Sequence, residues 1–273
     1  MFFSKMQGAG NDFIIINNMD GSIPAGDYSG IAKKLCRAHF SIGADAVMFV
    51  CPPLEGGDYR MLFYNRDGTL GEMCGNGARC ICRYGHDNGL AGSIQRVETT
   101  AGLVTGERID EALYKIRLPD PEGFESGIAI EAAGRNFSCC YVELGHPGIP
   151  HAVTLMPEWP EIPREELFEY GKALRSYSGF PKGANVTFVS LLSDNYVKAV
   201  TFERGVEDFT FACGTGCGAV TFSLIRTGVL DEGPVQVEMP GGVLTVEPVK
   251  TDAEYSLYLT GPAELSFTGE VNI

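Results

Sequence analysis

The sequence predicts an α+β fold built from two similar halves, and three observations carry that expectation. The phrase Cys74-Gly75-Asn76-Gly77 returns as Cys213-Gly214-Thr215-Gly216 about half of the 273-residue chain later. Short β-type runs bounded by Gly, Asp and Asn outnumber helical patterns in both halves. The stretch Leu118-Pro119-Asp120-Pro121-Glu122-Gly123 falls near the midpoint, where its turn-forming residues mark a domain boundary.

In the first half, strands are expected at Phe13–Ile16, Ala46–Cys51, Tyr59–Tyr64 and Ile94–Thr99. A helix is expected over Ser29–His39, where Ile31, Leu35 and Cys36 share one face, and a second from Asn76 to about Asn88. The second half repeats the arrangement with strands at Asn136–Glu143, Val186–Leu191, Tyr196–Thr201 and Val235–Met239. Its helical patterns lie at Arg164–Arg175 and from Gly218 to Thr227. Each half therefore reads as strands around one helix. The 35 glycines show no collagen-like period and imply many tight turns.

A formal charge of −14 argues against nucleic acid or an anionic membrane as partner, since both need clustered Lys and Arg. No apolar run approaches membrane-spanning length, and the first residues lack a charged segment followed by an apolar one. A cytoplasmic location is expected. Nine cysteines, an odd number in a chain of this length, point to reduced thiols and not to a disulfide framework.

A thiol at the mouth of a Gly-rich turn leading into a helix sits where unpaired N–H groups and the helix dipole favour negative charge. Two such thiols suit acid/base work on opposite faces of one carbon, which inverts a stereocentre without a cofactor. The N–H groups of Gly75, Asn76, Gly214 and Thr215 would hold a substrate carboxylate and offset charge as the carbanion forms. Cys74, Cys80 and Cys82 lack the spacing of structural zinc ligands, so no metal is expected. Cys80, Cys82, Cys139, Cys140 and Cys217 are expected to serve packing. Neither a dinucleotide fingerprint nor a P-loop occurs, and no lysine with supporting residues suggests pyridoxal phosphate.

The two cysteine phrases stand in longer segments, Phe63-Tyr64-Asn65-Arg66-Asp67-Gly68-Thr69 running on to Glu72-Met73-Cys74, and Phe202-Glu203-Arg204-Gly205 running on to Phe211-Ala212-Cys213. Together with Lys5-Met6-Gln7-Gly8-Ala9-Gly10-Asn11-Asp12-Phe13, Ile42-Gly43-Ala44-Asp45, Gly148-Ile149-Pro150-His151-Ala152-Val153 and Pro240-Gly241-Gly242, they resemble the diaminopimelate epimerase family. The resemblance runs from residue 5 to the final strands.

It implies a cofactor-independent racemase of two pseudo-symmetric domains, each a β-barrel-like sheet around a central helix, with the active site in the interdomain cleft. The domains implied are 1–118 plus 263–273, carrying Cys74, and 119–262, carrying Cys213. The resemblance places His151 beside Cys74 and Glu203 beside Cys213 as groups that set thiol protonation. It assigns Asn11, Asn65, Asn185, Glu203 and Arg204 to the distal head group of the substrate. It implies LL- and meso-diaminopimelate as substrates, a place in lysine and cell-wall precursor synthesis, and a homodimer.

Two positions depart from the family pattern. Ile149 stands where many members have Asn before Pro-His, with His146 as a nearby polar substitute, and Phe209 stands where an acid commonly precedes the Thr. Both favour a second reading, a racemase of another amino acid with the same two-cysteine chemistry. A third reading, a non-catalytic ligand-binding relative, is disfavoured because both thiols are present.

Overall fold

The structure is a computed structural model describing residues 1–71, 74–251 and 255–273. It divides into two compact units, Met1–Arg117 with Gly261–Ile273, and Leu118–Thr260. Glu72 and Met73, part of the first cysteine segment, lie outside the described residues.

The first unit begins with β1 (Phe2–Gly8) and β2 (Asn11–Asn17), then α1 (Tyr28–Leu35), β3 (Ala46–Cys51), β4 (Tyr59–Asn65), α2 (Gly75–Asp87), β5 (Ile94–Thr99), β6 (Gly102–Arg108) and β7 (Leu113–Arg117). β1 pairs antiparallel with β2, β2 parallel with β3, β3 antiparallel with β4, β4 parallel with β5, and β5 to β7 form an antiparallel meander. Every residue of β3 is buried, so this central strand reads as an unbroken apolar run without alternation. In β4 the odd positions Tyr59, Met61 and Phe63 face α2, while Leu62 and Tyr64 join the cluster that includes Ile31, Ala32 and Leu35 of α1.

Helix α2 lies against β1, β2, β5, β6 and β7, so strands from both ends of the sheet surround it. Its residues 75–82 are all buried, which an ordinary amphipathic helix would not permit. Glycine makes the close packing possible. A Cβ at Gly85 would lie 2.5 Å from the Tyr59 hydroxyl, which donates to the Ile81 carbonyl and to Gln95 at 2.9 and 2.7 Å.

The second unit contains β8 (Pro121–Ala132), β9 (Arg135–Leu144), β10 (Ile149–Leu155), α3 (Arg164–Arg175), β11 (Asn185–Ser193), β12 (Tyr196–Glu203), the short β13 (Asp208–Phe209), α4 (Gly214–Arg226), β14 (Val235–Met239), β15 (Gly242–Lys250) and β16 (Tyr255–Pro262). From β9 the pairings run antiparallel to β10, parallel to β11, antiparallel to β12, parallel to β14, then antiparallel to β15 and β16. This is the series of β1 to β7. α3 occupies the place of α1, and α4 that of α2, with strands β8 to β11 and β15 against it. The two halves thus share one topology, and each buries its own helix. The last strand, β17 (Glu264–Glu270), pairs antiparallel with β1 in the first unit.

Three expectations about elements are corrected. The helix drawn to His39 ends at Leu35, whose carbonyl accepts the Gly43 N–H, and His39 sits at a positive φ that a helix does not tolerate. The last central helix starts at Gly214, not Gly218. Glycines at 214, 216 and 218 carry little helical signal, yet the site of a Gly218 Cβ is 2.7 Å from Leu118 Cδ1, so tertiary packing decides. Pro121 begins a strand, β8, whose register against β9 shifts twice around the positive-φ residues Gly123 and Gly127.

A stability prediction follows from α3. A Cβ on Gly171 would lie 2.8 to 2.9 Å from the Cγ, Cδ2 and Cβ atoms of buried Phe202. Alanine would gain about 1 kcal/mol of helix propensity there. The contact atoms include the root of the Phe202 ring, which cannot swing away, and overpacking costs about 1–3 kcal/mol. With three contacts under 3.0 Å the cost falls in the upper half of that range, about 2–3 kcal/mol, so Gly171→Ala is expected to lower the urea-unfolding free energy by a net of about 1–2 kcal/mol. Unchanged or raised stability would show that the helix shifts freely.

Candidate active site

Each unit places a cysteine at the start of its central helix. Cys74 is the N-cap of α2 and Cys213 the N-cap of α4; both have extended backbone, with φ −110° and −122°. Their carbonyls accept the N–H groups of Ala78 and Cys217 at 2.8 and 2.9 Å. Both helices run for 13 residues. The two thiols therefore hold equivalent local positions, each where the positive end of a helix dipole acts.

In the second unit Cys213 is buried, and its sulfur accepts the Gly216 N–H at 3.3 Å and stands 3.6 Å from the Thr215 hydroxyl. Those contacts favour the thiolate. Desolvation and, after it, the negative charge of Glu203 oppose them and hold the thiol well above its ordinary range. At neutral pH Cys213 is thus protonated, the form that gives a proton away. Glu203 ends β12, and its carbonyl anchors the following turn by accepting the Glu207 N–H at 2.7 Å.

His151 is wholly buried on β10, and neither ring nitrogen has a hydrogen-bond partner among the described residues. Its pKa falls to about 3, first through burial and then through the charge of Arg204. The imidazole is neutral, able to accept at one nitrogen and donate at the other. Two unpartnered nitrogens in a dry site cost free energy that a hydrogen-bonding ligand would recover. Asn185 stands beside His151 in the parallel register of β10 and β11, and its Oδ1 accepts the Arg204 N–H at 2.8 Å. The Arg204 guanidinium in turn donates to the Lys182 carbonyl at 2.7 Å. His151, Asn185, Glu203, Arg204, Cys213, Gly214 and Thr215 thus belong to neighbouring strand ends and one helix start of this unit.

In the first unit Cys74, Gly75 and Asn76 open α2, and the Asn76 amide donates to Asn11 Oδ1 at 2.6 Å. Asn65, at the end of β4, donates instead to the Thr69 hydroxyl at 3.0 Å within a tight turn. The remaining thiols sit in cores or strands. Cys80 and Cys82 are fully buried on α2 and held high by desolvation, to about 12 each.

The departures from the family pattern separate cleanly. The Phe209 ring packs edge-on against Phe202 at 5.6 Å and near Phe188 at 6.4 Å, within the aromatic cluster under α3. The ring is half-buried and packs against that cluster. Ile149 lies two residues before His151 on β10 and so shares its face of the strand. His146 projects into solvent, with Nδ1 3.6 Å from the Glu122 carboxylate.

Sequence reasoning gave no role to Arg79, five residues after Cys74, or to Asp45, the last residue of Ile42-Gly43-Ala44-Asp45. Arg79 is completely buried and donates to Asn76 Oδ1 at 2.8 Å, and Asp45 Oδ2 accepts from Asn11 at 3.1 Å. A charged residue amid the small residues of a buried helix is the signal that singles Arg79 out.

The family model for diaminopimelate epimerase matches residues 3–115 and 145–266. The chain belongs to the diaminopimelate epimerase family. It is 33% identical to the diaminopimelate epimerase of Halothermothrix orenii, covering 99% of this chain and 98% of that one. It is 35% identical to that of Rippkaea orientalis, covering 99% of each. Among solved structures, a phenazine biosynthesis protein of the PhzF family from Bacillus anthracis superposes with a TM-score of 0.77 at 15% identity, covering 100% and 99% of the two chains. A hydroxyproline epimerase from Agrobacterium vitis gives 0.71 at 17% identity over 99% and 90%. At these identities the structures show the shared fold alone. Members of the family named over the full length of this chain are epimerases, and the chain is an isomerase. Among the described residues, no helix is long and apolar enough to cross a membrane.

Proposed function

We propose that the chain interconverts LL- and meso-diaminopimelate, with Cys74 and Cys213 as its two proton-transfer groups. The observation that carries the reading is the repetition of a cysteine N-cap at the same point of the same topology in both units. Full-length similarity to diaminopimelate epimerases supplies the substrate.

In the direction where Cys213 donates, the Cys74 thiolate takes the Cα proton. The electron pair of the broken C–H bond is held as a carbanion delocalised into the α-carboxylate, and the Cys213 thiol protonates the opposite face. Cys74 ends as thiol and Cys213 as thiolate, and the reverse direction exchanges the roles. The N–H groups of Gly75, Asn76, Gly214 and Thr215 are the donors proposed for the carboxylate on which charge develops. His151 and Glu203 are proposed to set thiol protonation; for Glu203, the upward pull on Cys213 supports the role. Asn11, Asn65, Asn185, Glu203 and Arg204 are proposed to read the distal end of the substrate. The chemistry itself calls for no cofactor or metal. The activity would serve lysine and cell-wall precursor synthesis in the cytoplasm, and a homodimer is proposed on family resemblance alone.

Ile149 favours the second reading, because an apolar side chain on the His151 face replaces a hydrogen-bonding one. Incubation with LL-diaminopimelate, proline, 4-hydroxyproline and other amino acids, followed by chiral chromatography, tests both. Interconversion of LL- and meso-diaminopimelate is expected, and inversion of a different amino acid alone would replace the substrate assignment.

A further inference from the structure

The loop that carries Arg204 contains a strained residue. Strand β12 ends at Glu203, which pairs with Asp208 of β13, so Arg204, Gly205, Val206 and Glu207 connect the two strands. The last of them, Glu207, has φ +58°, in the left-handed region that suits glycine and strains a residue with a side chain. Such strain persists only where the surroundings over-determine the conformation. Here the Glu207 side chain does so. Its Oε1 accepts the Gly205 N–H at 2.9 Å. Arg175, in the last turn of α3, donates from Nε to both carboxylate oxygens at 2.9 and 3.0 Å, with Nη2 2.8 Å from Oε1.

A partly exposed ion pair contributes little by itself. This one differs because Arg175 ties the loop to a second stretch of chain. The Arg175 carbonyl accepts the Ala184 N–H at 3.1 Å, and Gly183, at φ +64°, comes so near that a Cβ there would lie 2.5 Å from Arg175 Nη1. The stretch pinned in this way is the one that seats Arg204. The Lys182 carbonyl accepts from its guanidinium at 2.7 Å, and Asn185 Oδ1 accepts its N–H at 2.8 Å. One arginine at the end of α3 therefore grips both the loop that bears Arg204 and the segment on which Arg204 rests.

We propose that Arg175 and Glu207 are positioning residues that hold the Arg204 guanidinium in place to read the distal end of the substrate. The inference rests on the reading role proposed for Arg204, while the clamp itself is independent of substrate. Glu203 is fixed by its pairing at the end of β12, whereas Arg204 lies beyond that pairing and depends on the loop. Loosening the clamp thus weakens substrate binding and leaves proton transfer nearly unchanged.

The test uses Glu207→Gly, Glu207→Ala, Glu207→Gln, Arg175→Met and the double variant Arg175→Met/Glu207→Gly. Glycine suits the left-handed backbone, so Glu207→Gly removes the carboxylate and still lets the loop form. Glu207→Gly, Glu207→Ala and Arg175→Met are each expected to raise KM for diaminopimelate about tenfold with kcat within about threefold of wild type. Glu207→Gln keeps an acceptor oxygen for Gly205 and Arg175 and should stay within about threefold in both constants. The double variant should be no worse than the single ones, since both break one tie. In the protein without substrate, deuterium exchange at the Arg204 backbone N–H, followed by NMR, should quicken about tenfold in Arg175→Met, although that variant alters neither the N–H nor its Asn185 acceptor. Wild-type kinetics in Glu207→Gly beside a loss in Glu207→Ala would show that the loop needs only its backbone shape, and would overturn the proposal. So would losses that multiply in the double variant, a fall in kcat at unchanged KM, or unchanged exchange at Arg204. If the wild type turned over no diaminopimelate yet Arg204 exchange quickened in Arg175→Met, the clamp would stand and the substrate assignment would fall.

Discussion

Cys213→Ser is expected to lower kcat/KM by about 10²–10⁴-fold, the range spanned by loss of one positioned proton-transfer group. The serine hydroxyl can still accept the Gly216 N–H and fits the buried N-cap, so unfolding free energy should change by less than about 1 kcal/mol. Cys74→Ser should behave alike. The double variant should fall little below either single one, because two groups that serve one reaction are not additive. Cys217, buried one helical turn along α4, supplies the control: Cys217→Ala should stay within a few-fold of wild type. Activity retained by Cys213→Ser, or lost equally by Cys217→Ala, would remove the assignment.

Acid should destabilise the protein through His151, and the sign follows from burial. The folded-state pKa is about 3 against an ordinary 6.5. As pH falls below about 6.5, unfolded chains take up a proton that folded ones refuse, so stability declines until the folded-state pKa is reached. At 1.36 kcal/mol per unit, the loss between pH 6.5 and 4.5 is about 2–3 kcal/mol from this one side chain. Carboxylates add their own acid dependence, so the contribution of His151 is the difference between wild type and His151→Gln. Urea unfolding at pH 7 and pH 4.5 measures it. The variant should lose about 2 kcal/mol less than wild type between the two pH values; equal losses would mean that the imidazole is solvated or charged in the folded state.

Much of the architecture was legible because local signals agreed with tertiary demands. Ala46–Cys51, Ile94–Thr99, Val235–Met239 and Arg164–Arg175 were drawn to the residue at which the elements begin and end. The failures share a cause, since short-range pattern is silent where packing decides. Glycines 214 to 218 hid the first turn of α4, whose stability comes from leucines distant in sequence. Pro121 and Gly123 looked like punctuation, yet β9 recruits them into an irregular strand. Strands β6, β7, β15 and β16 interrupt their apolar residues with Gly, Pro or charged residues, so their sequences do not stand out as strands.

The candidate site was legible to the same degree. The cysteine phrases marked Cys74 and Cys213 as thiols at turns leading into helices, and each is the N-cap of its central helix. The packing of the Phe209 ring against Phe202 and Phe188 could not be read from its place before Thr210, because both partners lie on other strands. Arg79 and Asp45 were passed over because their significance lies in contacts with Asn76 and Asn11, which no spacing rule reveals.

Deuterium content at Cα of the first product formed in heavy water tests the two-thiol account most directly. The proton taken by one sulfur is not the one returned by the other, so meso-diaminopimelate made from LL substrate at low conversion should carry solvent deuterium at the inverted carbon in nearly every molecule. Product that keeps a large share of the original protium would mean that a single group carries the same hydrogen from face to face, and would contradict the account.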